Sequence, residues 1–207
     1  MSLSFPRFSF RPVRRDLLTL AVVVAISASA RSSLADHYVV PTGSMLPTVQ
    51  LDDHVIVDKL AYGFRIPLTR DYAVRFAAPA RGDVVVLRSP DDGIVLLKRV
   101  VGVPGDDLRV VDGALTIDGR AMPIVEQDGG AEEQLGTVSH AISFEYGGGP
   151  DYGPVQLPAD RFLVMGDNRG NSRDGRTFGL VTRDAILGKV EGVVVRHGAP
   201  TWVGLAE

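Results

Sequence analysis

Three short stretches of the chain carry residue types that could perform acyl transfer. The first is residues 41–48, PTGSMLPT, in which Ser44 follows a glycine inside a turn bounded by two prolines. Such a turn can hold a serine hydroxyl outward with backbone N–H groups beside it, which is the geometry that an acyl-transfer nucleophile needs. A plain turn rich in Pro, Gly and Ser is the competing interpretation, and these eight residues alone do not separate the two.

The second stretch, residues 96–101, could supply a base for that serine. Its sequence is LLKRVV, so that Lys98 and Arg99 are surrounded by aliphatic residues. In a strand, neighbouring side chains point to opposite faces, and one of the two cations therefore meets apolar surroundings or a cleft. Burial lowers the pKa of a lysine, which lets it act as a general base near neutral pH. The alternative is an edge strand on which both cations reach solvent.

The third stretch, residues 166–176, is a polar loop that follows an apolar strand. It reads GDNRGNSRDGR, and its side chains can bond to one another. The hydroxyl of Ser172, supported by an ion pair between Asp174 and Arg176, could orient a lysine amine. A calcium loop is disfavoured because Arg169 occupies the third ligand position and Ser172 the glycine position.

Other chemistries find little support in the sequence. Cysteine is absent, which excludes disulfides and thiol chemistry. No glycine-rich phosphate loop follows a strand, so that we predict no nucleotide and no other cofactor. The histidines show no HxxxH or HExxH spacing, and we predict neither a metal site nor a Ser–His–Asp triad. They are His37, His54, His140 and His197.

The charge distribution separates a basic N-terminus from a mildly acidic body. The net charge is −3, but residues 37–207 carry 17 basic and 23 acidic side chains. An acidic body argues against nucleic acid as a partner. A length of 207 residues suits one domain, or one domain with an appendage.

Residues 17–30, LLTLAVVVAISASA, are the only strongly apolar run. The run is shorter than the roughly 20 residues that usually span a bilayer. It could be the core of a signal peptide, because residues 28–30 read Ala-Ser-Ala behind a basic start. It could also be a transmembrane anchor that continues past Arg31, or a buried helix. In either membrane interpretation, the basic residues 1–16 hold the N-terminus in the cytoplasm and the body lies outside.

The elements that must position the three stretches are predicted to be short strands. From His37 onward the apolar pattern has a period near two, interrupted by Gly and Pro turns, which predicts a mostly β sandwich or barrel. Residues 62–80 are expected to be an irregular loop, and residues 118–158 a small lobe with a weak pattern. The predicted strands are residues 54–60, 84–87, 94–103, 108–111, 114–117, 161–165, 185–190 and 193–196.

Taken together, these stretches resemble the type I signal peptidases, membrane-anchored Ser/Lys endopeptidases. The matching blocks occur in the family's order and cover roughly half of the chain. They are PTGSMLPT (41–48), RGDVVVLRSP (81–90), LLKRVVGVPGD (96–106) and GDNRGNSRDGRTFG (166–179).

The resemblance implies a role for each matching residue. Ser44 matches the nucleophile and Lys98 the general base. Thr42 stands where the family often has a serine that helps to form the oxyanion hole. The remaining matches are Ser172, which would orient the lysine amine, Asp174 and Arg176, which would support it, and Asp167 and Asn168, which belong to the family's loop near the site.

The resemblance also implies the substrate and the setting. Small apolar pockets would accept Ala-x-Ala at the end of a preprotein signal peptide, and their lining would be Val40, Met45, Val86 and Leu97. Residues 17–35 become a single uncleaved anchor in a bacterial cytoplasmic membrane, with the active site on the outer face beside phospholipid.

The expected architecture is a mostly β protein with coiled antiparallel sheets in a sandwich or barrel-like catalytic domain, a small second β lobe and one N-terminal transmembrane helix. Residues 1–16 form the basic tail, 36–107 and 161–207 the catalytic domain, and 108–160 the inserted lobe.

Two alternatives remain open on the sequence. The chain could be a peptidase dedicated to a special substrate, or an anchored β-domain that binds a partner and has no active site.

Overall fold

The computed structural model describes Thr19 and residues 35–66, 72–127 and 130–205. The basic tail 1–16 and, except for Thr19 and Ala35, the predicted anchor 17–35 lie outside these residues. No helix in the described part of the chain is long and apolar enough to cross a membrane.

Strands are the main regular structure of the described chain, which confirms the predicted mostly β class. One short helix, α1 (Gly175–Phe178), and two single turns of 3-10 helix (Gly43–Met45 and Arg183–Ala185) interrupt them. In chain order the strands are β1 (Ala35–Val39), β2 (His54–Asp58), β3 (Gly63–Arg65), β4 (Tyr72–Arg75), β5 (Val84–Arg88), β6 (Val95–Gly102), β7 (Asp107–Val111), β8 (Ala114–Ile117), β9 (Arg120–Ala121), β10 (Ile124–Gln127), β11 (Gly130–Leu135), β12 (Val138–Ile142), β13 (Tyr152–Gln156), β14 (Arg161–Met165), β15 (Val181–Thr182), β16 (Ile186–Arg196) and β17 (Ala199–Gly204).

The largest sheet has eight strands in the order β1-β2-β16-β5-β6-β14-β15, and β17 also pairs with β16. Its strands pair antiparallel. Register shifts interrupt the pairing of β16 with β2 and β5, and such bulges bend and twist a strand. The smaller sheets have the orders β13-β7-β8-β9, β10-β11-β12 and β3-β4.

Strand β5 of the large sheet is buried on both of its faces. Its residues 84–87, VVVL, are a continuous apolar run, and alternate residues enter two different cores. Val84 and Val86 pack in one cluster, whereas Val85 and Leu87 pack in another on the opposite face. Burial on both faces explains why this strand lacks the alternation of polar and apolar residues that half-exposed strands show.

A third apolar cluster joins the large sheet to the four-stranded sheet. Val101 of β6 and Leu163 of β14 pack there against Leu108 and Leu115, which belong to the hairpin of β7 and β8. The hairpin itself was predicted from the turn residues Asp112 and Gly113, and its register confirms that prediction.

Three regions differ from the sequence-based expectation. The expected irregular loop at 62–80 contains the paired strands β3 and β4, whose short lengths gave no clear period. The weakly patterned residues 118–158 contain strands β9 to β13. The two strands predicted within 185–196 form one continuous strand, β16, because a bulge rather than a turn accommodates Gly192.

Candidate active site

Ser44 lies in the 3-10 turn Gly43–Met45, directly after an extended Thr42. The next side chain, Met45, is fully buried in the core beside β5, and it holds the turn against the sheet. Ser44 itself is buried, with 9% of its surface exposed. The proline-bounded turn therefore presents the hydroxyl toward the protein's own side chains rather than toward open solvent.

Lys98 lies on β6, and its side chain contacts Ser44. The Lys98 Nζ and Ser44 Oγ atoms are 2.6 Å apart, and Nζ also donates to the backbone carbonyl of Leu97 at 2.9 Å. Only 2% of Lys98 is exposed. The structure thus brings together the hydroxyl and the amine that lie 54 positions apart in the sequence.

Burial is the main reason that the Lys98 amine loses its proton more easily than an exposed lysine does. It lowers the pKa of Lys98 from 10.5 to about 8, while the carboxylates of Asp174 and Asp167 oppose this change and Arg176 adds to it. Because neutral amine is present at neutral pH, Lys98 can accept the hydroxyl proton of Ser44, which is the activation that a serine nucleophile requires.

The pKa of Lys98 predicts the pH dependence of any reaction that it serves as a base. We expect kcat/KM to rise with pH and level off above about pH 8, because only the uncharged amine accepts a proton. The folded pKa is below the unfolded value, so the buried charge opposes folding below pH 8. Stability should therefore rise between about pH 8 and the unfolded pKa. Initial rates across pH 6 to 10 test the first expectation, and a rising limb centred on the ordinary histidine pKa of about 6.5 would contradict it.

The polar loop at 166–176 is fastened to the turn that carries Ser44. The backbone N–H of Asn168 donates to the Ser44 carbonyl at 3.1 Å, and its side-chain amide donates to the Gly43 carbonyl at 3.1 Å. Asn168 therefore lies beside the serine turn, as predicted. Its backbone and its side chain each donate one hydrogen bond that holds the turn in place.

Asp174 and Arg176 form a buried ion pair behind the site. Two nitrogens of the guanidinium contact the carboxylate, at 2.9 and 2.8 Å, and neither side chain is exposed. The same carboxylate accepts from the backbone N–H of Gly166 at 3.0 Å. The pair thus organises the loop, and through the charge of Asp174 it limits how far the pKa of Lys98 falls.

The prediction that Ser172 bonds to Lys98 is not met by this geometry. The Ser172 hydroxyl is buried and has no hydrogen-bond partner among the described residues. Lys98 instead donates to Ser44 and to the backbone carbonyl of Leu97. Ser172 does lie close by, packed against the backbone of Gly166.

Gly166 is required at the point where strand β14 enters this loop. A Cβ placed there would lie 2.4 Å from the Ser44 carbonyl oxygen and 2.3 Å from the Ser172 hydroxyl oxygen. We expect Gly166→Ala to displace the Ser44 turn and to reduce kcat by roughly 100-fold, as small misplacements of catalytic groups do. Gly130→Ala is the matched control because its nearest neighbour would lie at 3.7 Å. Equal kinetics for the two variants would show that the close approach is unimportant.

A mostly apolar groove of about 280 Å³ opens beside Ser44 and Lys98. Three of the four predicted pocket residues line it, namely Val40, Val86 and Leu97. The prediction for Met45 is wrong: its side chain is 0% exposed and is not part of the groove lining, because it anchors the serine turn in the core. The other lining residues are Tyr38, Val39, Pro41, Thr42, Val55, Ile94, Val95 and Leu96.

Thr42 is exposed at the groove and caps the turn without a side-chain hydrogen bond to it. Thr42 lines the groove, and the role of its hydroxyl in an oxyanion hole stays a prediction.

Lys98 and Arg99, the two cations of β6, are both buried, whereas the strand pattern predicted burial for only one of them. Arg99 is 2% exposed, and two of its guanidinium nitrogens contact the Asp167 carboxylate at 2.9 and 2.8 Å. Burial opposes the ionisation of Asp167, yet the Arg99 guanidinium holds the pKa of Asp167 below its ordinary value. Thr48, which follows the serine turn, donates to the same carboxylate at 2.6 Å.

Sequence reasoning missed a further buried ion pair, the third in this region, which continues the network of Arg99 and Asp167. Arg169 and Glu133 contact each other with no exposure of either side chain. His140 lies between this pair and Asp167, and burial lowers the pKa of His140 to about 3, so that the imidazole is neutral. Glu133 and His140 lie on strands without a clear pattern, and nothing in their local sequence indicated this position.

Metal chemistry at this site has no ligand set in the described chain. No group of three or more His, Asp or Glu residues in residues 35–66, 72–127 and 130–205 is arranged to hold a metal ion.

Comparison with known proteins defines the family to which this chain belongs. The sequence matches the family described as signal peptidase, peptidase S26, over residues 13–195. It is 37% identical over 193 residues to signal peptidase I of Pseudomonas fluorescens, covering 81% of this chain and 67% of that protein. It is 30% identical over 178 residues to probable signal peptidase I-2 of Synechocystis, covering 83% and 68%.

Among solved structures, a signal peptidase I from Enterococcus faecalis matches with a TM-score of 0.38 at 25% identity, covering 55% of this chain and 97% of that one. The family match and the identities above establish that the chain belongs to the signal peptidase family, peptidase S26.

Proposed function

We propose that this protein is a membrane-bound serine endopeptidase that removes N-terminal signal peptides from exported preproteins after an Ala-x-Ala motif. The observation that carries the proposal is the 2.6 Å contact between Ser44 Oγ and Lys98 Nζ in a buried site beside an apolar groove. Membership of the signal peptidase family supports the same reaction.

The catalytic cycle follows from the two side chains. The neutral amine of Lys98 accepts the proton of Ser44 as its oxygen attacks the scissile carbonyl carbon. The backbone N–H of Ser44 and the hydroxyl of Thr42 stabilise the oxyanion. The protonated amine then gives its proton to the leaving amine, which produces an acyl-enzyme and the free mature protein. Lys98 next activates water, which hydrolyses the ester and releases the signal peptide.

The edge of β6 provides a place for an extended substrate. Strand β14 pairs with β6 only from Arg99 to Gly102, and no described strand pairs with that edge at residues 95–98. A signal peptide would add there as a strand, with main-chain hydrogen bonds for affinity and side-chain pockets for specificity. Val40, Val86 and Leu97 leave room for small side chains, and an added methylene would meet them.

The proposed setting is a bacterial cytoplasmic membrane. Residues 17–35 would form a single anchor, with the basic residues 1–16 in the cytoplasm and the catalytic site on the outer face. Residues 36–107 and 161–207 would carry the catalytic domain and residues 108–160 the inserted lobe. Apolar side chains at the groove rim, including Val39 and Ile94, would then face phospholipid or substrate.

A cleavage assay with a defined product tests the proposal. The purified full chain, in detergent with phospholipid, is incubated with a preprotein that has Ala-x-Ala at its processing site, and mass spectrometry locates the cut. We expect one cut, directly after the second alanine, and roughly 100-fold slower cleavage when that alanine is replaced with leucine. Preprotein that stays intact in a long incubation would favour a binding module, and a cut elsewhere would contradict the proposed specificity.

A further inference from the structure

The β5–β6 turn, residues 89–94, lies at the rim of the groove. Its last residue, Ile94, lines the groove together with Val95, and 57% of Ile94 is exposed. Lys98 follows Val95 by three positions on β6, which corresponds to about 10 Å in an extended strand. The position of this turn therefore determines where one end of the substrate-binding edge of β6 lies relative to the reacting atoms.

The turn is bonded to itself and to β5, but the opposite edge of the hairpin is free. The Ser89 N–H donates to the Ile94 carbonyl at 2.9 Å, and strand pairing extends as far as Arg88 and Val95. Strand β14 pairs with β6 only at residues 99–102. The end of the hairpin therefore extends beyond β14 as two strands, and two strands without further support open readily.

An arginine of the polar loop 166–176 bonds to this turn. Arg173 Nη1 lies 2.6 Å from Asp92 Oδ2, and Arg173 Nη2 lies 2.6 Å from Asp91 Oδ2. Among the described residues, Arg173 is the one residue outside the β5–β6 hairpin that hydrogen-bonds to residues 89–94. The three side chains, called the Arg173 bridge below, thus connect the groove rim to the loop behind the catalytic pair.

The charges of the Arg173 bridge are partly exposed but act together. Between 33% and 46% of each side chain is accessible, and one exposed ion pair alone would contribute little. Here one planar guanidinium contacts two carboxylates through separate nitrogens, which forms a network rather than an isolated pair. The hydrogen bond from Arg173 is the main reason that the pKa of Asp92 falls from 3.8 to about 2, so that this carboxylate stays ionised at neutral pH.

The backbone of Arg173 is attached to the buried part of the site. Its neighbour Asp174 is 0% exposed and accepts from the Gly166 N–H at 3.0 Å. Its other neighbour, Ser172, packs against the same glycine. The position of Arg173 is therefore set by the polar loop, which also holds the Ser44 turn.

We propose that Arg173 is a positioning residue for the preprotein substrate: through Asp91 and Asp92 it holds the β5–β6 turn, and with it the free edge of β6, in place beside the catalytic pair. This role rests on the proposed function, because it requires the substrate to add to that edge. Arg173 bonds to neither Ser44 nor Lys98, and it should therefore affect substrate binding rather than the chemical step. An edge that is fixed in advance lowers the ordering cost of binding an extended peptide.

Steady-state kinetics of the full chain test this role. The variants are Arg173→Gln, the pair Asp91→Asn with Asp92→Asn, and all three changes together, each assayed with the same preprotein. We expect KM to rise roughly 3- to 10-fold in Arg173→Gln with kcat unchanged, as the loss of two exposed ion pairs allows. Because the three side chains act through one contact, the triple variant should have the KM of Arg173→Gln. Added salt should raise KM in the parent more than in Arg173→Gln, since it screens exposed charges.

Hydrogen exchange of the substrate-free protein gives a readout that does not depend on peptidase activity. In Arg173→Gln, the amide of Ser89, which is bonded within the turn, should exchange roughly 3- to 10-fold faster than in the parent. Arg120→Gln is the matched control, because Arg120 is an exposed arginine on β9 that forms no ion pair with a described residue. It should leave both KM and the exchange of Ser89 unchanged.

The two measurements separate this role from the proposed function. An unchanged KM in Arg173→Gln would overturn the role, and so would unchanged exchange at the turn or a fall in kcat at constant KM. A parent protein that cleaves no preprotein would refute the proposed function itself, whatever the exchange rates are.

Discussion

Replacing Lys98 with methionine is expected to reduce kcat for preprotein cleavage by roughly 100- to 10,000-fold, the range that a general base contributes. The buried amine is 2.6 Å from Ser44 Oγ, and no other side chain in the described residues bonds to that hydroxyl. Methionine has a similar length and is apolar, so it fills the same space without the cost of burying a charge. The measurement is kcat with a preprotein, together with the thermal unfolding midpoint at pH 7.

The expected stability of this variant separates a catalytic role from a structural one. The pKa of Lys98 in the folded protein is lowered to about 8, which means that its charged form opposes folding at pH 7. Lys98→Met should therefore unfold at the same temperature as the parent or a higher one, while its activity is lost. A variant that unfolds at a lower temperature and keeps most of its activity would contradict both the dyad and the cause assigned to the pKa.

Ser44→Ala and the double variant complete this test. Because nucleophile and base act as a unit, removing both should cost about as much as removing either one. Losses that multiply in the Ser44→Ala, Lys98→Met double variant would show that the two side chains act independently.

The parts of the site that could be predicted from the sequence are those with a local signature. A glycine and two prolines within eight residues indicate a turn that could present Ser44, and the apolar strand pattern around Lys98 indicates that this cation could be buried; the family resemblance is what favours these roles over a plain turn and an edge strand. Both features determine local geometry, a turn in one case and a buried strand position in the other. The contact between them depends on β6 passing beside the serine turn, and only the resemblance to a family predicted it.

The features that were missed depend on long-range register. Met45 and Leu97 are the apolar neighbours of Ser44 and Lys98, yet Leu97 lines the groove and Met45 lies in the core. The sequence pattern cannot distinguish these positions because Met45 lies in a 3-10 turn and Leu97 in a strand, and the side-chain directions follow a different period in each. In the same way, Glu133 meets Arg169 only because β11 is brought next to the polar loop, and its own strand has no pattern that indicates burial.

Replacing Asp167 with alanine is expected to lower the free energy of unfolding by about 3–5 kcal/mol, the usual effect of removing one partner from a buried ion pair. Arg99 is 2% exposed and would keep its charge without the carboxylate that it contacts at 2.8 Å. Thr48 would also lose the acceptor of its hydroxyl bond, just after the serine turn. Urea denaturation of the parent and the variant at pH 7 measures the difference.

The double variant Arg99→Met, Asp167→Ala distinguishes an unpaired charge from a simple loss of packing. Methionine removes the guanidinium that Asp167→Ala leaves unpaired, and the double variant should therefore be more stable than Asp167→Ala alone. Activity provides a second readout, because Asn168, next to Asp167, holds the carbonyls of Gly43 and Ser44 in place. A double variant that is no more stable than Asp167→Ala would show that the cavity, rather than the unpaired Arg99, causes the loss. In that case, the Arg99–Asp167 ion pair would not stabilise the packing of the polar loop 166–176 against the serine turn.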